Sequence, residues 1–286
     1  MHGARGNTKR FTMKLNFCVK AALASAMLLS SPTAFADSFF GEQGGLFAIS
    51  ADKDNSFADV GAVFVHRDGY VGSEETENRI LPFVRADYKG RLFVNAATGG
   101  GVYWRNTDSF RFSTSVNWQP GRDSEDAPIL EDEGEVTGSI TIVNAARIYS
   151  AYGAFELISS VPITGDFDGA RFDALFSTEF FPFEGLRITP GVRATFGTSG
   201  WINTFYGIDN DTLAALNNAP VSLSAFDAGS GLIAFGAHAA AYWGLPHNFE
   251  LVGVANYSNL RDDARDSPLS PENNGLTLTI GVTKQF

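Results

Sequence analysis

Apolar and polar residues alternate with period two along most of this chain. The final segment shows it most clearly, because Leu276, Leu278, Ile280 and Val282 fall on one face of an extended strand. The residues between them are threonine and glycine, which fall on the opposite face. This alternation indicates a β-strand with one face in an apolar medium and the other in a polar one. No long stretch keeps the 3.6-residue period of a helix, so we predict an all-β fold.

The alternation recurs in many segments, and the connections between them are of two sizes. The segments are residues 57–68, 78–88, 91–98, 109–119, 135–148, 151–163, 167–181, 184–199, 228–243, 247–258 and 275–286, and the long connections are 69–77, 120–134, 200–227 and 259–274. Outer-membrane barrels combine short periplasmic turns with long external loops and have even strand numbers. An extra reversal at Gly99–Gly101, followed by a short strand at 102–105, restores this parity. The pattern predicts a transmembrane antiparallel up-and-down β-barrel of about 12 strands, with about 10 as the alternative.

The first 36 residues have the organisation of a secretory signal peptide. Basic residues up to Lys20 precede the apolar run Ala21–Leu29, and the small-x-small motif Ala34–Ala36 follows. That apolar run is too short to span a bilayer. We therefore expect export through a cleavable signal at 1–36, a periplasmic lead-in at 37–56 and an outer-membrane barrel at 57–286. The only cysteine, Cys18, lies in the signal, which excludes disulfides from the mature chain.

The charge balance excludes one class of partner. All 32 acidic residues and 16 of the 21 basic ones follow Ala36, so the mature chain carries 16 − 32 = −16. Nucleic-acid binding requires basic side chains that neutralise phosphates, so this acidity argues against it. Outer-membrane lipid and lipopolysaccharide are the surroundings that a barrel of this kind implies.

One hairpin is regular enough for its register to be predicted. A three-residue turn at Pro182–Glu184 places Asp173 opposite Arg193 and Glu179 opposite Arg187. The other face of the same hairpin is then wholly apolar. A slip by one residue would turn the charged face toward lipid. We therefore predict that these four residues form two structural ion pairs inside the barrel.

The chain ends on an aromatic residue, Phe286. A final amphipathic strand that ends in phenylalanine is typical of the C-terminal signal of outer-membrane barrels. We predict that Phe286 is part of an assembly signal and that the barrel-assembly machinery is a partner. Lys284 departs from the pattern, since it occupies an outward position where an apolar residue is usual.

Candidate chemistry in the sequence is sparse. His66, His238 and His247 are far apart and do not have the spacing of metal ligands, and no Gly-x-Ser-x-Gly motif is present. A lipid-modifying enzyme needs a nucleophile and a base held by a third group, and none is evident. We predict no catalytic, cofactor or metal site. The acidic segment 123–135 is predicted to be a solvated external loop, with a loose divalent-cation site linked to lipopolysaccharide as the alternative.

Several short motifs, in this order along the chain, resemble the MipA/OmpV family. They are Gly69–Ser73, Arg79–Phe83, Tyr88–Phe93, Gly99–Tyr103, Gly121–Asp123, Thr204–Ile208, Asp227–Leu232, and Tyr257–Leu260 with Asp263–Pro268. Asp262 and Arg265 depart from the family pattern. The resemblance covers nearly the whole chain from about residue 57.

The resemblance implies a non-enzymatic outer-membrane protein without catalytic residues or cofactors. It also implies a scaffold that links a murein lytic transglycosylase to a peptidoglycan synthase. Two alternatives stay open at this point, a small-solute channel and a lipid-modifying barrel enzyme. Segment 200–227 bears on the first of them, because it plugs the lumen if it folds inward and leaves a pore if it folds outward. The oligomeric state stays open too.

Overall fold

The computed structural model describes residues 56–95, 98–119, 121–122, 135–215 and 224–286. Strand segments account for most of this part of the chain. They are β1 (Phe57–Asp68), β2 (Thr76–Tyr88), β3 (Leu92–Asn95), β4 (Gly99–Asn106), β5 (Phe110–Gln119), β6 (Ser139–Ser150), β7 (Gly153–Pro162), β8 (Arg171–Ser177), β9 (Phe180–Phe183), β10 (Leu186–Gly197), β11 (Gly231–Leu245), β12 (Phe249–Leu260) and β13 (Asn274–Gln285). Three short helices are α1 (Ser199–Tyr206), α2 (Asn210–Ala215) and α3 (Asp262–Asp266). No helix among the described residues has the length and apolarity to cross a membrane.

The strands close into one antiparallel barrel. Apart from β8 and β9, each strand pairs with the next along the chain, and β1 pairs with β13 from Asp59↔Gln285 to Arg67↔Thr277. The segments β8 and β9 pair with the same edge of β10, so the 13 segments make 13 − 1 = 12 barrel strands. This confirms the predicted fold class and the higher of the two strand numbers. Closure pairs the backbone groups of the first strand with those of the last, as hydrocarbon surroundings require.

The connections differ in length at the two ends of the barrel. Turns at 89–91, 107–109, 151–152, 184–185 and 246–248 lie at one end, together with Phe57 and Phe286. The described parts of the long connections lie at the other end, and they are 69–75, 121–122, 135–138, 163–170, 198–215, 224–230 and 261–273. Barrels of this type place the short turns in the periplasm and the long loops outside. The predicted reversal near Gly99 is present, because β4 begins at that residue and runs back beside β3.

The two faces of the wall follow the alternation in the sequence. On β13, Leu276, Leu278, Ile280 and Val282 are 41–56% exposed on the outside of the barrel. The residues between them point inward, and Thr277, Thr279 and Thr283 are buried. Apolar outward side chains suit a lipid-facing surface.

Lys284 fits this outer surface in spite of its charge. Its ammonium nitrogen lies 5.1 Å from the ring centroid of Phe249 and 5.5 Å from that of Phe286. An ammonium group near an aromatic face is attracted by the ring quadrupole. The lysine lies at the periplasmic end of β13, where a long side chain can reach the interface.

The predicted register of the β8–β10 hairpin is wrong by two residues. The turn is the pair Glu184–Gly185 rather than Pro182–Glu184, and Gly185 has φ 83°. An irregularity between Leu186 and Ile188 moves the ladder back by one residue, which leaves a net shift of two. Asp173 is consequently opposite Thr195, and Arg193 is its diagonal neighbour. A shift of two keeps every side chain on its predicted face, because the side-chain period of a strand is two.

We predict that a side chain at Gly61 prevents normal closure of the barrel. A Cβ atom there would lie 2.1 Å from the backbone oxygen of Val282 on β13, so β1 and β13 would have to separate. Overpacking of this kind costs about 1–3 kcal/mol. Gly61→Ala should lower the urea midpoint of unfolding in lipid vesicles and reduce heat-modifiable migration. Gly253→Ala is the matched control, since its Cβ meets nothing within 4 Å. Equal stability of both variants would contradict the prediction.

Candidate functional site: a capped lumen and a periplasmic rim

The external mouth of the barrel is covered by a cap that contains α1. Four side chains of α1 are buried, Trp201, Ile202, Phe205 and Tyr206. They fall at spacings of one and four residues, so one face of the helix is apolar. Phe167 from the β7–β8 loop packs against this face, with its ring centroid 5.0 Å from that of Phe205 and 5.7 Å from that of Trp201. The cap is therefore a small aromatic core outside the strand ladder.

Hydrogen bonds attach the cap to other external loops. The Tyr206 hydroxyl is 3.2 Å from the backbone oxygen of Val71, and the Ser267 hydroxyl donates to the backbone oxygen of Tyr206 at 2.6 Å. The Arg122 guanidinium donates to the backbone oxygen of Phe205. Three loops thus hold α1 in place. The described part of segment 200–227 folds across the mouth, which is the plugged arrangement of the two that were considered.

The start of α2 is capped by Asp209. The backbone N–H of Thr212 donates to its carboxylate at 2.7 Å, and this hydrogen bond lowers the pKa of Asp209. A carboxylate at this position also interacts favourably with the first turn of the helix. The residue is exposed on the external side and belongs to the cap rather than to the lumen.

A cavity of about 50 Å³ lies directly beneath the cap. Its lining includes Tyr70, Trp201 and Leu260, and Arg171 and Thr195 supply polar groups. The volume is enough for a few water molecules or a small apolar group. The cavity separates the aromatic cap from the charged part of the lumen below.

Buried charges occupy the lumen on the side of β5 to β10. Asp173 is 4% exposed and is hydrogen-bonded to Arg193 at 2.7 Å and to the Thr195 hydroxyl at 2.7 Å. Arg171 Nε lies 3.2 Å from the same carboxylate. Arg147 pairs with Glu156 one strand away. The guanidinium groups here are compensated by carboxylates and hydroxyls on neighbouring strands, which suits a low-dielectric interior.

On the other side of the lumen, an apolar cluster lies between buried ion pairs of β1 and β2, Asp59 with Arg85 toward the periplasm and Arg67 with Glu77 toward the outside. Inward side chains of β1, β2, β11 and β12 form one cluster, which consists of Val63, Val65, Leu81, Phe83, Ala240, Tyr242, Val252 and Val254. Each is no more than 7% exposed. A water-filled channel is lined by polar side chains, whereas this cluster excludes water from its part of the interior. We call it the apolar layer.

The second predicted ion pair lies near the periplasmic mouth. Arg187 Nη1 is 3.6 Å from Glu179 Oε1, and the guanidinium of Arg187 lies 4.4 Å from the ring centroid of Tyr242. The Glu179 side chain is 41% exposed, in contrast to 4% for Asp173. The two pairs therefore occupy different environments. Their role in holding the register stays a prediction, as does the role of Phe286 in assembly.

The three histidines are not brought together. His66 Nδ1 is 2.9 Å from the side-chain oxygen of Asn78, and His247 lies in a periplasmic turn with φ 63°. His238 points into the lumen, where its ring lies over Gly191. Within the described ranges, no group of three or more His, Cys, Asp or Glu residues could hold a metal ion. The acidic segment 123–135 lies outside the described residues except for Glu135.

The periplasmic rim exposes several aromatic side chains. Tyr152 in the β6–β7 turn is 84% exposed, and Phe181 on β9 is 69% exposed. Phe183 and Trp243 meet edge to face, with ring centroids 6.4 Å apart. An aromatic girdle at the interface explains outward rings. Phe181 is the most exposed phenylalanine among the described residues, and Tyr152 lies in a turn between two strands rather than on the wall.

Sequence reasoning missed the cap and the apolar layer. The spacing of Trp201, Ile202, Phe205 and Tyr206 was a readable signal for a short amphipathic helix within a long connection. The sequence signal for the apolar layer was weaker. Its one trace in β1 is that Val63 and Val65 make this strand apolar on its inward face as well as on its outward face.

A closed 12-stranded barrel with an apolar outer belt, short turns at one end and long loops at the other defines an outer-membrane β-barrel protein. The chain matches the family of the MltA-interacting protein MipA over residues 60–286, and it belongs to that family. Two relatives named MltA-interacting protein, from Escherichia coli strain K12 and Shigella flexneri, are each 20% identical over 217 residues. These matches cover 74% of this chain and 84% of each relative.

Solved barrels are similar at a coarser level. The NanC porin matches with a TM-score of 0.42 and 8% identity, covering 79% of this chain and 98% of that chain. A FadL homologue from Pseudomonas aeruginosa matches with a TM-score of 0.39 and 7% identity, covering 81% and 90%. Scores at this level do not bear on function, and the fold assignment rests on the strand pairing itself.

We predict that the buried pair stabilises the barrel far more than the exposed pair does. Asp173→Ala leaves two buried guanidinium groups without their shared carboxylate, a change that costs about 3–5 kcal/mol. Glu179→Ala removes a hydrated partner and should cost about 0–1 kcal/mol. Urea unfolding of both variants in the same vesicles measures the difference. Similar losses for the two variants would show that burial does not set the strength of these pairs.

Proposed function

We propose that this chain is a non-enzymatic outer-membrane scaffold whose periplasmic rim binds a murein lytic transglycosylase. The observation that carries the proposal is the difference between the two ends of the barrel. The external mouth is covered by the aromatic cap, while the periplasmic rim exposes Tyr152 and Phe181. Exposed aromatic residues are frequent anchors of protein interfaces. Membership of the family and the name of its relatives support the choice of partner.

The second half of the proposal concerns how the scaffold is placed. A cleavable signal at 1–36 would export the chain, the barrel-assembly machinery would insert it, and lipid and lipopolysaccharide would surround the barrel. The short turns then face the peptidoglycan. A peptidoglycan synthase would complete the assembly, with both enzymes near one rim. Binding of a hydrolase and a synthase at one membrane site couples bond cleavage to synthesis without chemistry by the barrel itself.

Binding of the transglycosylase should depend on the rim. Tyr152→Ala and Phe181→Ala should each weaken the affinity of the detergent-solubilised, full-length chain by about tenfold, the loss expected for an aromatic anchor. Co-purification from native envelopes and titration with the purified transglycosylase give the affinities. Ile163→Ala is the control, because Ile163 is a 55% exposed apolar residue at the external end. Unchanged affinity in both rim variants, or an equal loss with Ile163→Ala, would contradict the proposed surface.

A small-solute channel is the second candidate, and the buried charges of the lumen favour it. The cap and the apolar layer argue against a channel, because both occupy space in the barrel through which a solute would have to pass. We therefore expect no single-channel conductance from the intact chain in planar bilayers. Trp201→Ala combined with Phe205→Ala loosens the cap, yet it should still give no conductance, since the apolar layer stays in place. Discrete conductance steps from the unmodified chain would favour the channel.

A further inference from the structure

The lipid-facing wall carries a row of polar side chains at mid-depth. Thr114 on β5 is paired with Asn144 on β6, and Asn144 is paired with Ser159 on β7, so the three side chains lie side by side. Their neighbours two positions along the strands, such as Val116 and Leu157, are exposed on the outside of the barrel, so the row faces lipid. Asn144 is the sixth of the 12 residues of β6, far from both ends of the strand.

The middle of the wall is otherwise apolar on its outer face. Hydrocarbon offers no hydrogen-bond partners, so a lipid-facing surface favours apolar side chains. Contact with acyl chains therefore does not explain three polar side chains on adjacent strands. Mid-strand outward residues elsewhere in the described barrel include Phe64, Ala174, Val192, Ala239, Ala255 and Ile280.

Hydrogen bonds connect the row to the indole of Trp104. The indole N–H donates to the Thr114 hydroxyl at 2.9 Å, and this hydroxyl donates to Asn144 Oδ1 at 2.8 Å. Asn144 Nδ2 lies 3.5 Å from the Ser159 hydroxyl oxygen on the other side. The groups donate in one direction, and each one polarises the next. These contacts hold the carboxamide in one orientation at the centre of the row.

The carboxamide of Asn144 has hydrogen-bonding capacity beyond these contacts. It carries two N–H groups and an oxygen with two lone pairs. Within the described ranges it accepts one hydrogen bond and donates one long one. A second N–H and a second lone pair are therefore available to a further partner. A polar group in hydrocarbon is costly unless such a partner is supplied.

A second copy of this chain supplies a matching group. A carboxamide is self-complementary, because its N–H can donate to the oxygen of an identical group while its own oxygen accepts in return. A twofold axis places the same residue of both subunits face to face. All copies enter the membrane in one orientation, so this axis runs along the membrane normal and keeps both periplasmic rims on one side. Polar side chains join neighbouring segments of membrane proteins in the same way.

The surroundings of Asn144 permit close approach of a second wall. The flanking residues of the row are small, and Ala146, two positions along β6, is smaller still. Small residues at contacts within membranes let two backbones approach closely. Phe112 and Leu157 lie on either side of Ala146 and can pack around the contact. The row spans three strands, roughly 10 Å, which suits the narrow stripe along which two convex barrels touch.

We propose that the outer face of β5–β7 is a dimer interface, in which the Asn144 carboxamides of two copies of this chain exchange hydrogen bonds. The apolar residues around the two amides pack between the barrels and exclude lipid. Acyl chains are the abundant component at this depth, and they carry neither donors nor acceptors. The interface lies on the wall, separate from the periplasmic rim, and it does not depend on the proposed scaffold function.

Cross-linking in phospholipid vesicles at low protein-to-lipid ratio tests the position of the interface. The chain has one cysteine, so a Cys18→Ser background leaves only the introduced thiol. Ala146→Cys lies beside the proposed axis, and Ala255→Cys on β12 is the matched control on another part of the wall. A short bifunctional maleimide should join most of the Ala146→Cys chain into dimers and leave Ala255→Cys monomeric. Ala255 is the more exposed of the two, so accessibility alone favours the control. Equal dimer yields would overturn the proposal.

Removal of the carboxamide tests its role. Asn144→Leu should weaken self-association of the full-length chain by about tenfold, the loss expected for hydrogen bonds between segments in a membrane. Leucine suits a lipid-facing position, so heat-modifiable migration should show an intact barrel. Asn78→Leu, at an outward asparagine near the external end of β2, is the control and should leave self-association unchanged. Single-molecule photobleaching in supported bilayers measures the dimer fraction. A monomeric unmodified chain, or equal association of Asn144→Leu, would refute the dimer.

Native envelopes distinguish a second copy from a different membrane protein. There the Ala146→Cys chain should give a cross-linked product that contains this chain alone and has twice its mass. A product that contains another protein in place of the second copy would assign the face to that protein and overturn the dimer.

Discussion

Hydrogen bonding of the backbone in hydrocarbon is the constraint on which the rest of this structure depends. A peptide group in lipid has no water to pair with, so a spanning sheet must pair every strand on both sides. The first and last strands have no neighbour in sequence on one side. Pairing of β1 with β13 supplies the missing backbone hydrogen bonds to both of them. The apolar belt, the inward polar residues and the short periplasmic turns all follow from a closed ladder.

The alternation in the sequence was sufficient for the faces and for most strand positions, and β1 at Phe57–Asp68 matches its predicted range. It was not sufficient for the β8–β10 register. A shift of two residues leaves every side chain on the same face, so a period-two pattern cannot distinguish such registers. The deciding feature was the turn, where Gly185 adopts a positive φ that the apolar pattern does not reveal. Asp173 and Arg193 still meet, because a long guanidinium side chain spans a diagonal as well as a direct pair.

The candidate site was less accessible to sequence reasoning than the wall. Helices of 8 and 6 residues are too short to stand out from a long connection, and their stability comes from packing in the cap rather than from propensity. The apolar layer combines residues from four strands, so it becomes visible only once the strands are arranged around the lumen. Lys284 shows the opposite case. It looked like a defect in the outer face, whereas the rings of Phe249 and Phe286 give its charge a favourable place at the interface.

The pairing of Ala58 with Phe286 has a consequence for the order of folding. These residues are at opposite ends of the described chain, and their two hydrogen bonds belong to the seam that closes the barrel. Local hairpins such as β11–β12 can form as soon as their residues are available, but the seam requires both termini of the sheet. The entropy of loop closure grows only slowly with length, by about 0.6 kcal/mol per doubling, so distance is a modest thermodynamic barrier. The order of events is the stricter condition, because the seam cannot form until β13 is present. A chain that lacks this last strand would remain an open sheet, and the unpaired edges of β1 and β12 would be free to pair with other chains.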